Sequence, residues 1–174
     1  MKPHATPGGT KAATLKNMKT TVEPVEGTTY HSTVSLPLEK REIEFASHPA
    51  NLSLVRDFVR QFLRTLEFPD VEKDLMVLGL DEACTNVIRY AYRQEPNQLI
   101  CLVCEQLEGG VRFLVRDFGL QCEPEALRGR PLDLVQPGGL GIHLIRRAFD
   151  QVDYNLKRQG TELVLSRSYI QSNQ

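Results

Sequence analysis

From Lys40 the pattern of hydrophobic and polar positions becomes regular. KREIEFA alternates, so Ile43 and Phe45 share one side of an extended segment and predict a strand. In NLSLVRDFVRQFLRTL the apolar residues Leu52, Val55, Val59, Phe62, Leu63 and Leu66 recur every three or four positions. That is the period of an amphipathic helix, with Asn51 or Ser53 available as its cap. After Phe68-Pro69 a second helix is expected, capped by Asp70 and running to about Tyr92. Two strands follow, 98–106 and 111–117, and Glu108-Gly109-Gly110 between them predicts a hairpin. GLGIHLIRRAF then reads as a helix opening on glycines, and QVDYNLKR and TELVLSRSY as a closing hairpin turned at Gln159-Gly160. The order β-α-α-β-β-loop-α-β-β predicts an α+β fold, a two-layer α/β sandwich with a mostly antiparallel mixed sheet and helices on one face.

Outside this region the pattern is lost. Residues 1–39 mix Thr, Pro, Gly and Lys with isolated hydrophobes, and are expected to be a flexible N-terminal tail; residues 171–174 form a short C-terminal one. The domain between them, 40–170, is of ordinary single-domain size. The 118–138 stretch, rich in proline and glycine, is a long loop of the kind that serves as a lid.

Composition narrows the function. With 41% hydrophobic and 25% charged residues and a formal net charge of −1, the chain lacks the electrostatic footprint of a nucleic-acid binder. No apolar run reaches the roughly 18–20 residues of a membrane span, so a cytoplasmic protein is expected. Cys101 and Cys104 form a CxxC, but on a strand residues three apart face opposite ways and cannot share one zinc ion. Together with Cys84 and Cys122 they are expected to be reduced thiols, mostly buried.

Three segments carry candidate chemistry. In LGLDEACTNVIRYAY, Glu82 and Asn86 lie four apart and therefore on one helix face, beside an apolar stripe of Leu80, Ala83, Cys84, Val87, Ile88 and Ala91. A carboxylate and an amide at the edge of a buried stripe are out of place unless they have a task, although a solvated pair is the plainer reading of any ExxxN. In VRDFGLQC, Asp117 closes an apolar strand where it can accept a hydrogen bond from a base amino group, and Gly119 lets the backbone approach a ring. In PGGLGIHLIRRAF, glycines lead into a helix whose first backbone N–H groups can hold phosphate oxygens, though many such starts are only tight turns. A Walker-type phosphate loop is absent, and the chain is too short for a protein-kinase fold despite its Asp-Phe-Gly.

Taken in this order, the three segments resemble the N box, the first glycine box and the second glycine box of the ATP-binding fold shared by DNA gyrase, heat-shock protein 90, histidine kinases and mismatch-repair ATPases, the GHKL superfamily with its Bergerat-type fold. Within it, the EACTN wording, the NVIRYAY tail, the short lid, and GLGIHLIRRAFDQVDY followed by GTELVL are most similar to the anti-sigma factor serine/threonine kinases. The likeness covers roughly residues 42–169.

The resemblance implies that ATP and Mg2+ are the ligands. It places Asn86 at the Mg2+, Glu82 as the catalytic carboxylate that takes the proton of an attacking serine hydroxyl, Asp117 at the adenine amino group and Gly119 against the base. Gly139 and Gly141 fall at the phosphates, and Thr161 on the adenine side. Two departures stand out: Tyr90 replaces a usual histidine, and Gln121 replaces the last glycine of the first box, adding bulk near the nucleotide. Arg128 and Arg130 in the lid are within conceivable reach of a phosphate or simply solvated. The implied function is a partner-switching kinase that binds a sigma factor or analogous client and phosphorylates an anti-sigma factor antagonist, with a homodimer as the implied assembly. A non-catalytic module that sequesters a partner is the alternative. The catalytic domain of a histidine kinase would need a phosphoacceptor helix, and His4, His31 and His48 all lie in the tail or before the first helix.

Overall fold

Each predicted strand has a counterpart: β2 Glu39–Ala46, β3 Leu99–Leu107, β4 Gly110–Arg116, β5 Gln151–Leu156 and β6 Thr161–Ser168, preceded by a short β1, Thr14–Lys16. In the computed structural model, which describes residues 14–16, 36–121 and 140–169, they form one sheet in the order β1-β2-β3-β4-β6-β5. Every described pairing is antiparallel, where the sequence left room for a mixed sheet. Part of the stretch read as a tail enters this sheet, because Thr14–Lys16 pairs with Glu44–Glu42 and β2 begins at Glu39.

The helices are α1 Leu52–Leu63, α2 Asp70–Asn86 and α3 Leu140–Ala148. Strand alternation turns Ile43, Phe45, Ile100, Leu102, Cys104, Phe113, Val115, Leu163 and Leu165 toward them, and all are buried. Phe113 is the centre of that layer, meeting Phe62 of α1 edge-on at 5.9 Å and Phe149, just past α3, at 5.8 Å. The alternation also separates the CxxC thiols: Cys104 is buried in the core, while Cys101 is half-buried on the other face of β3. Cys122 lies outside the described residues.

The helix ends differ from the sequence reading. His48 caps a short 3-10 turn, Pro49–Asn51, by accepting from the Ala50 N–H at 3.2 Å. Asn51 instead donates to the Ala46 carbonyl, and Ser53 to that of Ala50, so neither caps α1. Asp70 is the first residue of α2 rather than its cap; the carbonyl of Pro69 takes up the Glu72 and Lys73 N–H groups. The continuous helix expected to Tyr92 also changes character after Asn86. Val87–Ala91 form a π-helical turn, in which the Tyr92 N–H reaches the Val87 carbonyl at 3.0 Å.

Candidate functional site

The α2 helix presents Glu82 and Asn86 one turn apart, both half-buried, while Leu80, Ala83 and Cys84 between and before them point into the core. Against this face packs α3. The two helices run antiparallel, since Gly79 lies against Ala148 and Phe149 whereas Glu82 lies against Gly141. The fit at Gly141 leaves no room for a side chain: a β-carbon there would overlap the Glu82 carboxylate and stand 2.9 Å from its Cγ. Glu82 therefore rests on the first turn of α3, the positive end of that helix's dipole. Gly139 and the lid stretch with Arg128 and Arg130 lie outside the described residues.

Burial dominates the electrostatics of Glu82. It holds the carboxyl above the ordinary carboxylate range; the Arg89 charge works against that and the Asp81 charge adds to it. Asp81 is itself occupied by an ion pair with Arg56 at 2.8 Å, leaving Glu82 as the carboxylate of this segment that lies against α3.

At the other end of the same helical segment sits Asp117, only 4% exposed and immediately past β4. Its backbone N–H donates to the Thr161 carbonyl at 3.0 Å, and its carboxylate accepts from the Gly119 N–H at 2.9 Å. Burial raises the Asp117 carboxyl above its usual range despite those hydrogen bonds and the nearby Arg116. Gly119 closes onto the π-helical turn: a β-carbon would overlap the Ala91 carbonyl, and the next N–H, that of Leu120, donates to the same oxygen at 2.9 Å. Gly160 has a φ of +69° and packs on the Asp117 carbonyl, which brings the β5–β6 turn against the loop.

The structure thus gathers Glu82 with Gly141, and Asp117 with Gly119 and Thr161, on one helical segment that carries Asn86 between the two groups. Gln121 lies between the loop after β4 and the β5–β6 turn. Its amide donates to the Lys157 and Gly160 carbonyls, at 2.6 and 3.0 Å, and is spent on the β5–β6 turn. Tyr90 is exposed, with the Arg89 guanidinium 5.8 Å from its ring centre.

Sequence reasoning missed three residues that build the loop. The Tyr92 hydroxyl donates to the Leu99 carbonyl and accepts from the Phe118 N–H. Arg116 donates to the carbonyls of Asp117, Thr161 and Gln159 while lying 4.4 Å from the Phe118 ring centre. Gln159 returns a bond to the Phe118 carbonyl at 3.0 Å. Only their partners, distant in the chain, reveal these roles; a lone tyrosine or arginine carries no signal of its own.

Comparison with known proteins places most of the chain in one family. Residues 45–167 match the family model described as a histidine kinase-like ATPase domain. The chain is 26% identical over 144 residues to the serine-protein kinase RsbW of Bacillus cereus (strain AH820), covering 78% of this chain and 88% of that protein, and the likeness to the serine-protein kinase RsbW of Bacillus anthracis (strain A0248) is the same. The corresponding kinase of Bacillus mycoides (strain KBAB4) is 25% identical over the same length. With most of its length matched by that one model, this chain belongs to the histidine kinase-like ATPase domain family.

Proposed function

We propose that the protein is an ATP-dependent protein serine/threonine kinase of the cytoplasm, a partner-switching regulator that binds a sigma factor or comparable client and phosphorylates its antagonist. The observation that carries this reading is the seating of the Glu82 carboxylate on the first turn of α3 at Gly141, with Asn86 one helical turn further on. The relatives named serine-protein kinases lend it the reaction class.

On this reading Asp117 and Gly119 hold the adenine, Thr161 supports that side, and Gly139 and Gly141 face the phosphates. The Asn86 amide oxygen is a hard donor suited to Mg2+, an ion that commonly takes one or two protein ligands and completes its shell with phosphate and water. Mg2+, when bound, neutralises charge on the phosphates. The serine hydroxyl oxygen forms a bond to the γ-phosphorus as the bond to the bridging oxygen breaks, releasing ADP. Glu82 accepts the hydroxyl proton, a task suited to a carboxylate whose burial makes it more basic than usual.

Labelled ATP, Mg2+ and a panel of antagonist-type proteins from the host test this, with wild type set against Glu82→Ala and Asn86→Ala. Glu82→Ala is expected to retain nucleotide binding and lose transfer by about a hundredfold or more, and Asn86→Ala to lose Mg2+-dependent nucleotide affinity. Undiminished transfer by Glu82→Ala removes it as the base. Nucleotide binding without transfer to any partner by the wild type favours a module that only sequesters its client.

A further inference from the structure

Tyr92 is 7% exposed and stands where the N-box helix ends, directly after the π-helical turn. A phenol hydroxyl has one proton to give and lone pairs to receive, and here both capacities are used across chain segments. The hydroxyl donates to the Leu99 carbonyl at 2.5 Å, at the start of β3, and accepts from the Phe118 N–H at 2.8 Å, in the middle of the Asp117–Gly119 loop. One residue earlier, the Ala91 carbonyl takes the Leu120 N–H. Two successive residues of the helical segment thus grip two alternate N–H groups of the loop. The π-helical turn adjoins this grip, since the Tyr92 N–H bonds to the Val87 carbonyl five residues back instead of the α-helical four.

We propose that Tyr92 is a positioning residue that locks the base-reading loop to the helix bearing Asn86 and Glu82, and so sets adenine selectivity from outside the nucleotide's own contacts. The proposal rests on the kinase reading for the identity of the ligand. Without the hydroxyl, the Phe118 N–H and the Leu99 carbonyl lose their partner in a part-buried setting, and the loop is released from its tie to the helix. Asp117 then no longer holds a fixed place relative to the phosphate-side residues, whereas those residues stay on their helix. Recognition of the base suffers more than recognition of the triphosphate, which ATP and GTP share.

The test is the ratio of ATP to GTP affinity, with Mg2+, for wild type and Tyr92→Phe, alongside thermal unfolding of each. The expected result is a folded variant whose preference for ATP falls about tenfold while its affinity for GTP stays within about twofold of wild type, a split that a general loss of stability does not produce. A ratio within about twofold of the wild type overturns the proposal and leaves the kinase reading standing. A wild type that binds neither nucleotide, or shows no preference, strikes the kinase reading itself and the proposal with it. If Tyr92→Phe fails to fold, hydrogen exchange of the wild type with and without ADP decides: slowing at residues 117–120 together with 87–92 is expected, and slowing confined to 117–120 overturns the coupling.

Discussion

Glycine at position 141 shows how little space separates packing from chemistry. Alanine is the better helix former by about 1 kcal/mol, so Gly141→Ala would stabilise α3 if nothing stood opposite. What stands opposite is the Glu82 carboxylate, the far end of a flexible side chain that can swing aside. The substitution is therefore expected to change global stability by less than about 1 kcal/mol while displacing the proposed base, and transfer should fall about a hundredfold. Urea unfolding and a transfer assay on one preparation check both halves. Retained transfer would mean that the seat of Glu82 on α3 is not needed. The ExxxN spacing placed Glu82 and Asn86 on one face from sequence alone, because helical periodicity is local. The contact with Gly141 is not local, and nothing in the spacing announced it.

Between elements, the close approach of α2 and α3 depends on Gly79. A β-carbon at that position would lie 2.7 Å from the Ala148 Cβ and 2.9 Å from the Phe149 ring, both buried and without freedom to retreat. Here overpacking, at about 1–3 kcal/mol, outweighs the helix-propensity gain of about 1 kcal/mol. Gly79→Ala is expected to destabilise the protein by about 1–2 kcal/mol, read as a lower urea midpoint at unchanged slope, and a stabilised variant would contradict the helix contact. From β2 onward the strands and helices were readable in the sequence, since each has a hydrophobic period written in its own residues; β1, three residues long, was not. Their ends were read less well. Asn51, Ser53 and Asp70 have the chemistry of caps, but the competing partners at Ala46 and Ala50, and the carbonyl of Pro69, took the bonds instead. The π-helical turn after Asn86 left no mark in the apolar spacing, because Ile88 and Ala91 are buried with or without it.

Across the whole molecule, two carboxyls set a pH dependence with opposite signs for stability and activity. Glu82 and Asp117 both have raised pKa values, chiefly from burial. Between the ordinary carboxylate value and the raised one, the folded chain holds protons that the unfolded chain has released. The contribution of these two groups to stability accordingly grows as pH falls through that window and shrinks as pH rises. On the proposed function activity runs the other way, since Glu82 can take a proton only when ionised and Asp117 is the stronger acceptor for an amino group when ionised. Nucleotide binding and transfer are thus expected to fail on acidification earlier than ordinary carboxylates would dictate. Asp117→Asn, which mimics the protonated form, is expected to be more stable than wild type near neutral pH, with an advantage that narrows on acidification. Thermal unfolding of both proteins across a pH series checks this, and a gap that widens on acidification would contradict it.

Local order in this chain follows from local causes. The two-residue period of the strands, the three-to-four-residue period of the helices, the hairpin turns, and the pairing of Glu82 with Asn86 on one face all depend on neighbours a few positions away. Even the order of the three boxes is a property of the string. Long-range contacts follow from none of these: the sheet order β1-β2-β3-β4-β6-β5, the seating of Glu82 on Gly141, and the grip of Tyr92 on Phe118 exist only once segments distant in the chain are packed together. Burial, which raises the Glu82 and Asp117 carboxyls, is likewise a property of the packed chain, because desolvation comes from everything that surrounds a group and not from the residues beside it in sequence.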